Sequence, residues 1–275
     1  MSSCRITLAL VIFAAAFAAS AAEKHELDMD AGGTIEIGAD GVVRSFQLNN
    51  ELAPQVAELV ERNVRSWQFQ PVVVNGTAVA AKTGVRLTLT AVPQAGETDR
   101  YAIRIANVIF GAPNPLAHMK PPHYPENAVH AHIGARVLLS LRLDEDGKVA
   151  EVMPYQTSLD VRTSSENEAE RWRKVFEQAS MRAVRDWKFE LTETINGRPI
   201  GTKVLLPLSF SLCEMPCRSS DSEGKWKAYV PGPEHPAPWF ETAHVANSQN
   251  ALKDGQALAA ESQFQLKEKV IGKML

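Results

Sequence analysis

Few residues of this 275-residue chain have the type and spacing to do chemistry. The two closest thiols lie in Cys213-Glu214-Met215-Pro216-Cys217. That run allows a local disulfide, a redox thiol pair, or a soft copper site in which Met215 joins the two sulfurs. It carries no basic group that would lower a thiol pKa, so a structural Cys213–Cys217 disulfide is the favoured reading. His123, His130 and His132 form the one histidine cluster. On a strand, His130 and His132 would share a face, but no Cys, Asp or Glu stands at a spacing that completes a metal site. Neither metal nor other cofactor is expected. Asp144, Glu145 and Asp146 precede Gly147, and a turn accounts for them as solvated carboxylates. There is no Gly-x-Ser-x-Gly, no phosphate loop and no His-Glu-x-x-His, so catalysis is not expected either.

Proline placement carries more information. Pro207 falls inside the alternating run Lys203 to Leu212. A proline cannot donate to a β-ladder and is confined to edges and bulges, so this run reads as an edge strand. Trp67 and Trp187 tempt as binding aromatics, yet each stands at a helix-to-strand junction, where core packing is the stronger reading.

These residues need elements to hold them, and the elements are written twice. Arg62-Asn63-Val64-Arg65-Ser66-Trp67-Gln68-Phe69 matches Arg182-Ala183-Val184-Arg185-Asp186-Trp187-Lys188-Phe189. Each copy has an upstream Asp-Gly turn (Asp40-Gly41, Asp146-Gly147) and a downstream Asn-Gly pair (Asn75-Gly76, Asn196-Gly197). In the second copy, period-two alternation predicts a strand over 135–143, a turn at 144–147 and a return strand over 148–153. Ser164-Ser165 offers an N-cap for a helix reaching about 186, with Trp172, Phe176, Ala179 and Ala183 on one face. The first copy predicts strands at 34–37 and 42–48, a helix opening at Pro54, and a closing strand at 85–91. The fold class is α+β: two tandem β-β-α-β units, each a helix on a small antiparallel sheet. Tyr101 to Phe110 is an extra strand candidate, and 251–273 a weak amphipathic helix.

Composition agrees with a folded, exported protein. The chain is 45% hydrophobic with ten Phe and five Trp, enough for cores. Its 29 Lys and Arg against 32 Asp and Glu lack the basic footprint of a nucleic-acid binder. Met1 to Ala22 has one early charge, Arg5, an apolar run and small residues before Glu23, the pattern of a cleavable secretory signal. An uncleaved inner-membrane anchor facing the periplasm is the alternative. The expected segments are a signal peptide at 1–22, a degenerate unit at 23–92, a linker at 93–120, a second unit at 121–213 and a Pro/Ser-rich tail at 214–275.

His123-Tyr124-Pro125-Glu126-Asn127-Ala128, the Asp146-Gly147 hairpin, Ala179 through Phe189 and Leu206-Pro207-Leu208-Ser209-Phe210-Ser211-Leu212 resemble the TonB C-terminal domain family. The resemblance covers about Pro121 to Leu212 and, less completely, Gly33 to Ala91, which lacks a Tyr-Pro opening. Leu191 stands where the family has proline; the first copy keeps it as Pro71. The resemblance implies a periplasmic domain associated with transport across the outer membrane, binding its partner by strand addition. On this chain the binding edge would be Lys203, Leu205, Pro207, Ser209 and Ser211. The implied partner is a protein or peptide, such as an outer-membrane receptor or an inner-membrane transport complex; a homodimer is the other candidate assembly. No motor-coupling histidine occurs in the leader and no long Pro-Glu/Pro-Lys spacer precedes the units, which leaves force transduction open. The competing reading is an assembly protein whose repeats pair with each other or with another subunit.

Overall fold

A computed structural model describes residues 26–94, 100–116, 119–212, 229–240, 255–259 and 262–275. The expected leader, Cys213 and Cys217 lie outside the described residues. The architecture is α+β, built on two antiparallel sheets.

The first sheet starts with β1 (Leu27–Ile37), whose Ala31, Ile35 and Ile37 face the core at alternate positions. It turns into β2 (Val43–Leu48) through Gly41, at φ +82°, where a Cβ would collide with the Phe69 carbonyl. Helix α1 (Pro54–Arg65) opens on a proline, whose missing donor is harmless there, and buries Val60 and Val64. The small hairpin β3 (Val72–Val74) and β4 (Thr77–Val79) leads into β5 (Ala81–Pro93). Strand β5 pairs with β1 along eleven residues, from Ala81 opposite Ile37 to Ala91 opposite Leu27. β6 (Tyr101–Phe110) pairs with the other side of β5, as the apolar alternation suggests. β1 begins seven residues earlier than its alternation predicts, because Leu27 and Met29 are exposed yet held by β5.

The second sheet follows β7 (Asn114–Pro115) and the short helix α2 (Glu126–His130). Strands β8 (Ala135–Leu143) and β9 (Val149–Leu159) form the hairpin, turning at Gly147, φ +77°. Helix α3 (Glu166–Val184) has a capping box: the Ser165 hydroxyl accepts the Glu168 N–H, and the Glu168 carboxylate accepts the Ser164 N–H. Ala169, Phe176 and Val184 on α3 pack against Val137, Leu139 and Leu141 of β8. β10 (Phe189–Glu190) pairs with β7. β11 (Thr194–Ile195) and β12 (Arg198–Pro199) close a hairpin whose Asn196 and Gly197 both have positive φ. β13 (Lys203–Phe210) then returns beside β8.

Two features join the sheets. Strand β11 leaves its own unit and pairs with β5, Ile195 opposite Ala81 and Thr194 opposite Lys82. The residues after 254 are the second tie, and here the predicted amphipathic helix is corrected. The described part is extended: β14 (Leu258–Ala259) pairs with β13, Leu266 bridges Phe69, and Met274 bridges Arg104. Its apolar residues serve different neighbours: Ala257 enters the second core, whereas Phe264 and Val270 enter the first. Gly255 and Gly272 at positive φ also break helical continuation. Among the described residues no helix is long and apolar enough to cross a membrane.

Candidate functional site

Strand addition needs unpaired backbone at a sheet edge. β13 is the outermost main strand of the second sheet, with β8 on its inner side. Its side chains divide by parity. Val204, Leu206, Leu208 and Phe210 enter the core under α3, while Leu205 joins Leu138, Tyr155, Ala237 and Phe240 on the opposite face. Pro207 turns its carbonyl outward, where it accepts the Gly255 N–H at 2.9 Å. Its donor-less nitrogen therefore costs the ladder to β8 nothing.

The five sequence-predicted edge residues thus lie on one rim, unevenly available. Leu205 and Pro207 are buried, Lys203 is half-buried, and Ser209 and Ser211 are exposed. The rim is already occupied at one end, where Val204 pairs with Ala259 and Leu205 with Leu258.

Other edges are closed in a similar way. On β9, Leu159 exchanges two backbone hydrogen bonds with Val230 and the Tyr155 carbonyl accepts from His235 N–H at 2.7 Å. On β6, Ile105 exchanges two bonds with Gly272 and Lys273. On β2, the Arg65 guanidinium donates to the Phe46 carbonyl at 3.4 Å. The segment 229–240 also covers the open face of the second sheet with Ala237 and Phe240. Its apolar residues were visible in the Pro-rich stretch, but nothing in their spacing reveals what they cover.

The remaining chemical candidates are placed apart from this rim. His130 ends α2 and His132 sits at φ +52°, so the two do not share a strand face; His123 is likewise exposed. No group of three or more metal-ligating side chains occurs among the described residues. The Asp144 carboxylate accepts the N–H groups of Asp146 and Lys148, as a turn carboxylate does. Trp67 and Trp187 are 4% and 7% exposed and donate to Asn63 Oδ1 and the Lys120 carbonyl, which makes them core plugs. Tyr124 donates to the Ile133 carbonyl and packs edge-on against Phe176 and Phe210. Burial, with the Asp160 charge second, pushes its pKa to about 12.

One group escaped the sequence reading. Glu193, 3% exposed, projects from the second unit toward the first, beside Thr83 and Gly111, and also meets Ser262. Burial raises its pKa; hydrogen bonds from Ser262 and then Thr83 oppose the rise. Nothing in Leu191-Thr192-Glu193-Thr194-Ile195 marks that glutamate as buried.

Residues 120–212 match the family model described as Gram-negative bacterial TonB protein C-terminal. Two curated relatives, "Protein TonB" of Xanthomonas campestris pv. campestris strains B100 and ATCC 33913, are each 33% identical over 95 residues. The aligned region is 34% of this chain and 36% of each relative, so the match spans about a third of their length.

Proposed function

Residues 120–212 form a domain of the TonB C-terminal family, and from that premise we propose that the chain binds a protein or peptide partner by strand addition at the outer rim of β13. It works on the periplasmic side of TonB-dependent transport, either released from a cleaved leader or anchored in the inner membrane, and it performs no catalysis. The first sheet with α1 is a second, degenerate copy of the same unit. An outer-membrane receptor is the fitting partner class.

One observation carries this reading: the β13 rim takes an extended segment, Leu258–Ala259, in antiparallel register. Its backbone is therefore presented in the geometry an added strand requires. Ser209 has the same outward parity as Pro207 and is exposed, so its N–H serves an added strand rather than β8. The test is a photo-crosslinking residue at Ser211 in the native host, with and without Ser209→Pro. Loss of the receptor adduct with an unchanged circular dichroism spectrum is expected. An adduct of unchanged yield would overturn the edge assignment.

The assembly reading also has an observation in its favour, since β11 pairs with β5 of the other unit. The same experiment separates the two: a second copy of this chain in the adduct selects assembly over receptor binding.

A further inference from the structure

Three separate stretches of chain close around one carboxyl group. Glu193 is buried between β10 and β11 of the second unit. Its Oε1 accepts the Ser262 hydroxyl at 2.7 Å and the Thr83 hydroxyl at 3.2 Å, so the closing segment and β5 meet on a single atom. Gly111 is the third wall, where a Cβ would fall on the carboxylate itself. Ser262 is also a link within its own segment, because its Oγ accepts the Phe264 N–H at 3.1 Å.

Among the described residues no cation balances this group. On β5, Lys82 and Arg86 alternate to the face opposite Thr83, and Arg86 there reaches Gln256 at 3.5 Å. Gly111 and Ala112 carry no charge. On the stretch that carries Glu193, Glu190 and Arg198 are exposed, and Glu190 accepts from Asn114. In the closing segment Lys267, Glu268, Lys269 and Lys273 are exposed. Ionisation therefore leaves a buried charge that two hydroxyls alone offset, and hydrating it requires water to enter. The walls differ in how firmly they are held. Thr83 lies in the eleven-residue ladder of β5 to β1. The Gly111 N–H donates to the Gly84 carbonyl, and the Gly84 N–H to the Thr192 carbonyl. Upstream of Ser262 the closing segment has less: two residue pairs with β13, the Arg86 contact, and the Gly255 N–H on the Pro207 carbonyl. Downstream, Phe264 and Val270 are buried in the first core and tether it. Water thus reaches the carboxylate most readily where residues 255–259 and Ser262 lift.

We propose that Glu193 is a pH-operated clasp on the closing segment. With the carboxyl protonated, Ser262 and residues 255–259 stay seated against Glu193 and β13. Once it ionises they lift, while Phe264 holds the far end. Burial raises the folded pKa, so the seated form is favoured at low pH and loses its advantage as pH rises through that value. Lifting uncovers the part of the β13 rim that Leu258 and Ala259 occupy. Only the use of that rim by a partner rests on the reading given above.

The test is amide hydrogen exchange on the full, isotopically labelled chain from about pH 4 to about pH 8, with each rate divided by the intrinsic rate at that pH. The Gly255 N–H reports seating, and the Phe69 and Phe189 N–H groups, bonded to the Gly41 and Gly147 carbonyls, report the two cores. Gly255 is expected to be less protected than either and to lose roughly three- to tenfold of its protection across that range. Glu193→Gln should keep Gly255 protection level with pH. Ser262→Ala, which leaves the carboxyl in place, should lower it already at the acid end. A Glu193→Gln chain with the pH profile of the unsubstituted protein would overturn the proposal. So would a Gly255 amide as protected as Phe69 and Phe189, since opening would then be global, or a Ser262→Ala chain with unchanged protection. The exchange needs no partner, so failure of the receptor crosslink at Ser211 bears on β13 alone.

Discussion

At the level of single residues, Glu193 gives the clearest expectation. Its Oε1 lies 3.2 Å from the Thr83 hydroxyl, which also reaches the Gly84 carbonyl at 3.1 Å. The folded pKa is raised above the ordinary 4.5, so the native state holds the proton longer than the unfolded chain. Stability is then greatest below that ordinary value and falls as pH rises toward the folded pKa. Urea denaturation across this range should show Glu193→Gln free of that decline and relatively more stable at neutral pH. A parallel pH dependence of the two proteins would contradict this account. Gly147 supports a simpler forecast. At φ +77° and against the Phe189 carbonyl, Gly147→Ala should cost roughly 1–3 kcal/mol in the same assay, from left-handed backbone strain plus the clash.

At the level of elements, the parts built from local signals were readable and the parts built from pairing were not. The alternation of Val137, Leu139, Leu141 and Leu143 places β8, and Ser164-Ser165 places the start of α3, because both patterns act within one element. Ser165→Ala should lower stability by about 1 kcal/mol through loss of the cap, measurable by thermal or urea unfolding. Pro207 by its own chemistry marks a position whose nitrogen the ladder to β8 does not use. What occupies that edge depends on Leu258, some fifty positions away, and no periodicity encodes such a distance. The tail failed as a helix for a related reason. Its apolar residues answer to two cores, so their spacing records where the segment travels rather than which face it buries.

At the level of the whole molecule, the two sheets are bound by a strand exchanged sideways and by residues that come after both. Phe264 is 3% exposed in the core of the first unit, while Ala257 is 1% exposed in that of the second. Calorimetry of the full chain should therefore show one cooperative transition. Phe264→Ala should lower stability by about 3–5 kcal/mol and split that transition, releasing the first unit ahead of the second.

Order of synthesis gives the closing segments another meaning. Residues 255–275 are made after every strand they cover, so both sheets can take shape while their rims still lack those partners. A growing chain then passes through a stage in which β6 and β13 present unpaired backbone to whatever is near. Exposed rims of that kind recruit neighbouring chains, which makes timely chaperone cover or rapid delivery of the tail a condition of reaching the native fold.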